Sequence, residues 1–139
     1  MSNMLFEYDV EGGNFSKAGF VSSDVKKILK QINIDSKIIK RIVVALYEGE
    51  VNVVAHASSG TVSVDVDDKQ IFIRIEDKGP GIEDIELAMK EGYSTASESV
   101  REMGFGAGMG LPNIKRNTDW FNINSKVGEG TVLEMKTNF

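Results

Sequence analysis

Apolar and polar positions alternate from Asn3 to Val10, as in a half-buried strand. From about Ser22 to Gln31 the period changes. Val25, Ile28, Leu29 and Ile32 recur at helical spacing and predict a first helix. Asp35 is a suitable N-cap for a second helix running to about Ala57. Ile39, Ile42, Val43 and Leu46 form one stripe of that helix, but Val44, Val51 and Val54 lie off it. A helix apolar on most sides is expected to be buried on most sides.

Two alternating runs follow, TVSVDV and QIFIRIED, separated by Asp67-Asp68-Lys69 in the manner of a hairpin. Residues 79–110 are glycine-rich and irregular, with a short helical stretch near Glu83–Glu91. A further helix is expected to start around Gly108–Gly110 and run to about Asn117. The last segment reads as two strands around a turn at Gly128-Glu129-Gly130. Together these elements predict an α+β two-layer sandwich: a mixed, mainly antiparallel sheet covered on one face by helices. With no repeat, low-complexity tract or proline-rich linker, residues 1–139 are expected to form a single domain.

Composition narrows the chemistry. The chain has no cysteine and one histidine, which excludes disulfides, thiolate nucleophiles and multi-histidine zinc sites. A net charge of −5 offers no general attraction to nucleic acid or anionic lipid. The first residues lack a basic region followed by an apolar run, and no stretch is apolar enough to span a membrane, so a cytoplasmic protein is expected.

Four features, in a particular order, carry the remaining signal. Glu48, Asn52 and His56 stand at four-residue spacing in the apolar helix, roughly 6 Å apart along its axis. Polar groups in a buried helix need a partner, and a carboxylate with an amide oxygen suits Mg²⁺ that keeps its waters and phosphates. On their own, Glu48 and Asn52 are equally compatible with a solvated face. Next, Asp77-Lys78-Gly79-Pro80-Gly81 follows a strand. Asp77 is placed to accept hydrogen bonds from an exocyclic amine, while Gly79 and Gly81 allow close backbone approach; alone the motif is also an ordinary turn.

The third feature is Gly104-Phe105-Gly106-Ala107-Gly108-Met109-Gly110-Leu111, opening a helix. Alternate glycines ahead of a helix start present N–H groups suited to phosphate, or else a plain hinge. The pattern matches neither G-x-G-x-x-G nor a P-loop. Last comes Gly128-Glu129-Gly130-Thr131, a hairpin turn by itself, from which Thr131 can share a water with Asp77.

In this order the motifs resemble those of the GHKL (Bergerat-fold) ATPases, the superfamily of gyrase, MutL and histidine kinases. ALYEGEVNVVAHA resembles the N box, DKGPGI the G1 box, GFGAGMGL the G2 box with its lid, and GEGT the G3 region. Within the superfamily the chain is similar to the small bacterial serine kinases that act as anti-sigma factors or switch proteins. The likeness runs from about Ile39 to Thr131.

That resemblance implies ATP/ADP and Mg²⁺ as cofactors, with Asn52 as the metal ligand and Asp77 reading the adenine amino group. It implies Gly79, Gly81 and Thr131 shaping the base pocket, Gly106, Gly108 and Gly110 at the phosphates, and Thr95 and Met109 as further nucleotide contacts. Glu48 matches the general base. The implied activity is phosphorylation of a serine on a STAS-domain antagonist protein, with a sigma factor or phosphatase as further partners and a homodimer as one possible assembly. Two other functions fit the same motifs: a nucleotide-dependent binding protein with little kinase activity, and a detached histidine-kinase catalytic domain.

His56 is read as a polar contact at the far end of the pocket rather than a phosphoacceptor, because no separate helical hairpin presents it. Gly49, costly in mid-helix, is read as a mark of close packing or ligand approach. Glu50 is expected to face solvent. Lys115 and Arg116 are expected either to reach phosphate or a partner, or to stand on a solvated face. Met89 and Met103 are expected to pack near the lid, and Trp120 to pack in the core or at an edge.

Overall fold

The computed structural model describes residues 3–90 and 110–139. Its five strands are β1 (Met4–Glu11), β2 (Ser59–Val66), β3 (Gln70–Lys78), β4 (Trp120–Lys126) and β5 (Gly130–Asn138). They form one sheet in the order β1-β2-β3-β5-β4. All four pairings are antiparallel, where a mixed, mainly antiparallel sheet was expected. Asp67 fixes the β2–β3 turn, its Oδ1 accepting from the backbone N–H of Lys69 (2.7 Å) and Gln70 (2.8 Å).

Strand alternation sorts the side chains by face. Val62, Val64 and Val66 of β2, Ile71, Ile73 and Ile75 of β3, and Leu133 and Met135 of β5 are buried on the helix side. The opposite face carries polar pairs such as Arg74–Glu76 (2.7 Å). Each buried aliphatic side chain contributes about 1.5–3 kcal/mol, so this one face supplies most of the driving force. The arrangement is the expected two-layer α+β sandwich.

The helices are α1 (Phe20–Gln31), α2 (Ser36–His56), a single turn α3 (Ile85–Ala88) and α4 (Gly110–Arg116). Asp35 caps α2 as its sequence position predicts, accepting from Lys37 N at 2.9 Å. The helical stretch expected near Glu83–Glu91 contracts to α3, where Asp84 Oδ1 caps Leu87 N at 3.0 Å. A 3₁₀ turn at Phe15–Lys17, for which the hydrophobic pattern gives no cue, leads into α1.

Two residues of α2 show how closely it packs. A Cβ on Gly49 would stand 2.4 Å from Ile75 Cδ1, so the glycine lets the helix settle onto the central strand. The mid-helix cost of about 1 kcal/mol is therefore offset by sheet packing rather than by a ligand. Glu50 overturns the expectation of a solvent-facing carboxylate. It is 2% exposed, and its oxygens accept from the backbone N–H groups of Gly19, Val21 and Ser22, each at 3.1 Å. Because the N-cap residue of α1, Gly19, has no side chain to cap it, Glu50 caps it from the neighbouring helix. This also explains why α1 starts at Phe20, two residues before the apolar periodicity marks it.

Candidate functional site

Asp77 lies near the end of β3, the central strand of the sheet. Its Oδ1 accepts from Thr131 N, the second residue of β5, at 3.0 Å. Burial pushes its carboxyl above the ordinary aspartate value, and the Thr131 hydrogen bond only partly opposes that. Among the described residues Oδ2 accepts no hydrogen bond, so half of a partly buried carboxylate is left for an incoming donor.

The two glycine loops beside Asp77 are built against each other. Gly81 adopts φ +75°, and a Cβ there would lie 2.4 Å from Lys126 O. Gly130, at φ +147°, would place a Cβ 2.1 Å from Asp77 O. Backbone bonds seal the contact: Gly79 N donates to Glu129 O (3.3 Å) and Gly128 N to Pro80 O (2.8 Å). Ser125, on the inward face of β4, completes it. Its Oγ accepts from Ile82 N at 2.7 Å and lies 2.8 Å from Thr131 Oγ1. Thr131 is thus joined to Asp77 by a direct backbone hydrogen bond, where the sequence suggested a shared water.

The second half of the site is the polar stripe of α2. Glu48, Asn52 and His56 are all half-buried. Gly110, at the head of α4, faces the first two. A Cβ on it would lie 3.2 Å from Asn52 Oδ1 and 3.4 Å from Glu48 Oε2. One helical turn on, Asn113 Nδ2 donates to Glu48 Oε1 at 3.3 Å, and Arg116 donates in turn to Asn113 Oδ1 at 3.1 Å. The glycine at 110 therefore leaves room where a side chain would press on two hard oxygen donors. Burial lowers the pKa of His56, which keeps the imidazole neutral at physiological pH.

The structure therefore brings Glu48, Asn52 and Gly110 together as one group, and Asp77, Gly79, Gly81 and Thr131 as another. Gly79 of the second group abuts Ala57, the C-cap of α2, where a Cβ would lie 3.1 Å from Ala57 Cα, while Glu48 and Asn52 of the first stand on the C-terminal half of the same helix. Thr95, Gly106, Gly108, Met109 and Met103 lie outside the described residues. Lys115 and Arg116 are exposed, and Met89 packs against the core. Trp120 lies on the open face of edge strand β4, with Lys136 Nζ 4.9 Å from the centroid of its ring. Among the described residues no three His, Cys, Asp or Glu side chains converge as a metal cage. A Mg²⁺ held mainly by phosphates and water needs no such cage, and the oxygen donors Asn52 and Glu48 fit that chemistry.

Sequence reasoning passed over Asn113, Ser125 and the capping role of Glu50. Asn113 stands three residues after Gly110, on the same helix face, and Ser125 interrupts the inward apolar series Phe121, Ile123. Those two spacings were available signals. Glu50 left none, because its partners are backbone groups about thirty residues away.

Comparison with known proteins agrees with the fold. Residues 18–137 match the histidine kinase-like ATPase domain. The serine/threonine-protein kinase RsbT of Bacillus subtilis is 34% identical over 113 residues, which cover 78% of this chain and 79% of RsbT. An anti-sigma F factor from Pasteuria penetrans is 36% identical over 95 residues, covering 63% of this chain and 60% of that protein. The crystal structure of the SiaB–SiaC complex from Pseudomonas aeruginosa contains a chain of similar fold, with a TM-score of 0.57 at 10% identity over 96% of this chain and 89% of that one. No helix among the described residues is long and apolar enough to cross a membrane. The chain belongs to the histidine kinase-like ATPase domain family.

Proposed function

We propose that this protein binds Mg-ATP and transfers the γ-phosphoryl group to a serine of a STAS-domain antagonist in the cytoplasm, acting as a single domain of a partner-switching module. One observation carries the reading: Glu48 and Asn52 face the same glycine at the head of α4. In this reading Asp77 Oδ2 accepts from the exocyclic amine of adenine, and Gly79, Gly81 and Thr131 shape the base pocket. Asn52 holds the metal, which when bound neutralises charge on the phosphates. The lid glycines Gly106 and Gly108, with Gly110, supply N–H groups to the phosphates, and Thr95 and Met109 add contacts.

Glu48 is the base. It takes the proton from the attacking serine hydroxyl as the serine oxygen bonds to the γ-phosphorus and ADP leaves. Asn113 orients the carboxylate through its 3.3 Å hydrogen bond. The likeness to RsbT, a named serine/threonine-protein kinase, supports the transfer step. A second reading, nucleotide-dependent capture of a sigma factor with little transfer, draws support from the relatives named anti-sigma F factors.

Incubation with γ-labelled ATP and the STAS protein encoded nearest to it tests the proposal. Label on the partner's serine, abolished by Glu48→Ala with nucleotide binding intact, is the expected result. Tight partner binding without label would overturn the kinase reading in favour of sequestration.

A further inference from the structure

The helix layer and the sheet differ in charge. From Phe20 to Tyr47 the chain carries six cations, Lys26, Lys27, Lys30, Lys37, Lys40 and Arg41, within a protein whose net charge is −5. The same stretch has two carboxylates, and both are engaged: Asp24 accepts from Tyr8 O–H at 2.5 Å, and Asp35 caps α2. Arg41 pairs with Asp119 at 3.3 Å. The five lysines are exposed, and among the described residues none of them forms an ion pair.

The fold gathers these lysines at one end of the molecule. A tight connection joins α1 to α2, with Asn33 at φ 61°, Asn33 N bonded to Lys30 O (3.1 Å) and Ile34 N to Leu29 O (3.2 Å). It sets the last turns of α1 next to the first turns of α2, so exposed Lys26, Lys27 and Lys30 and exposed Lys37 and Lys40 stand on adjoining segments of the helix layer. Half-buried Ile34 and Ile38 lie at the same junction. Asp77 and the glycine loops lie elsewhere, beside the C-terminal half of α2.

We infer that the α1–α2 junction is a docking surface for an acidic, amphipathic segment of a partner protein. Five exposed lysines without ion-pair partners concentrate positive charge on one part of a net-negative molecule, and a row of carboxylates complements that charge and is steered toward it. The two isoleucines give such a segment an apolar strip to cover. A long polyanion such as DNA, or an anionic bilayer, fits less well, because the whole molecule, net negative, would face it. This surface is separate from the nucleotide site and does not depend on the kinase reading.

The test uses fluorescence anisotropy with a labelled amphipathic peptide of Glu, Leu and Ala, its carboxylates on one helical face. The full chain is compared with Lys30→Glu/Lys37→Glu and with the charge-matched control Lys69→Glu/Lys90→Glu. Circular dichroism melts check that both variants fold. The first variant should bind the peptide about tenfold or more weakly, the control within about twofold of the parent, and added salt should weaken the parent's binding. Equal losses in both variants, or no binding by the parent, would overturn the proposal. So would tighter binding to phosphatidylglycerol vesicles or a DNA duplex that is lost in the same junction variant.

Discussion

Asp77 and Thr131 are joined by a 3.0 Å hydrogen bond from a backbone N–H to a carboxylate oxygen across 54 residues of sequence. This bond orients the carboxylate at the end of the central strand. It requires the β4–β5 turn to press against the β3 exit, and Gly130 makes that approach possible. Gly130→Ala would force a Cβ to within 2.1 Å of Asp77 O at a φ of +147°. Backbone strain and overpacking each cost about 1–3 kcal/mol. Chemical denaturation should therefore show a loss of about 2–6 kcal/mol, together with weakened nucleotide binding. Unchanged stability and affinity would show that the two loops are not locked together.

Glu50 is the second long-range lock. Its three backbone donors hold the start of α1 against α2, two residues beyond Glu48. Glu50→Ala would leave buried N–H groups without an acceptor, at a cost of about 3–5 kcal/mol. Glu50→Gln keeps one acceptor oxygen and should lose less. Urea melts of the three proteins should rank parent, Gln, Ala in falling stability. A ranking with Ala equal to the parent would remove Glu50 from the account.

The contrast between these two carboxylates shows what the sequence made legible. Period-two and helical spacing located β1, β2, β3, α1 and α2, because burial of one face imposes those periods locally, while turn and glycine signals located β4, β5 and α4. The order of Glu48, Asn52, Asp77 and the glycine loops pointed to one site for a different reason, the resemblance of that motif order to a known ATPase superfamily. Glu50 was misread because its environment depends on where the backbone of α1 starts. Gly49 was readable as a close-packing site, but its neighbour Ile75 was not. The direct Thr131–Asp77 bond and the Ser125 bridge depend on register between β3, β5 and β4, which no local window contains.

His56 gives the fold a pH signature. Burial lowers its pKa in the folded chain, so the unfolded chain binds a proton more readily. The stability linked to neutral His56 is fully present above the unfolded value near 6.5 and is lost as pH falls through the lower folded value. The melting temperature of the parent should fall between about pH 7 and pH 5. His56→Asn should flatten that part of the profile. Parallel profiles for the two proteins would assign the pH dependence to other groups.

Titration calorimetry with ADP and GDP in Mg²⁺ tests directly whether Asp77 reads adenine. The parent should bind ADP well over tenfold more tightly than GDP, since guanine presents a carbonyl where adenine presents an amine. Asp77→Asn should weaken ADP binding by about 10- to 100-fold, the worth of a hydrogen bond to a charged group, with the fold intact. Because burial raises the Asp77 pKa, the parent's ADP affinity should also begin to fall at a higher pH than an ordinary aspartate would dictate. Equal affinity for ADP and GDP, or an Asp77→Asn variant that binds ADP as the parent does, would contradict the account.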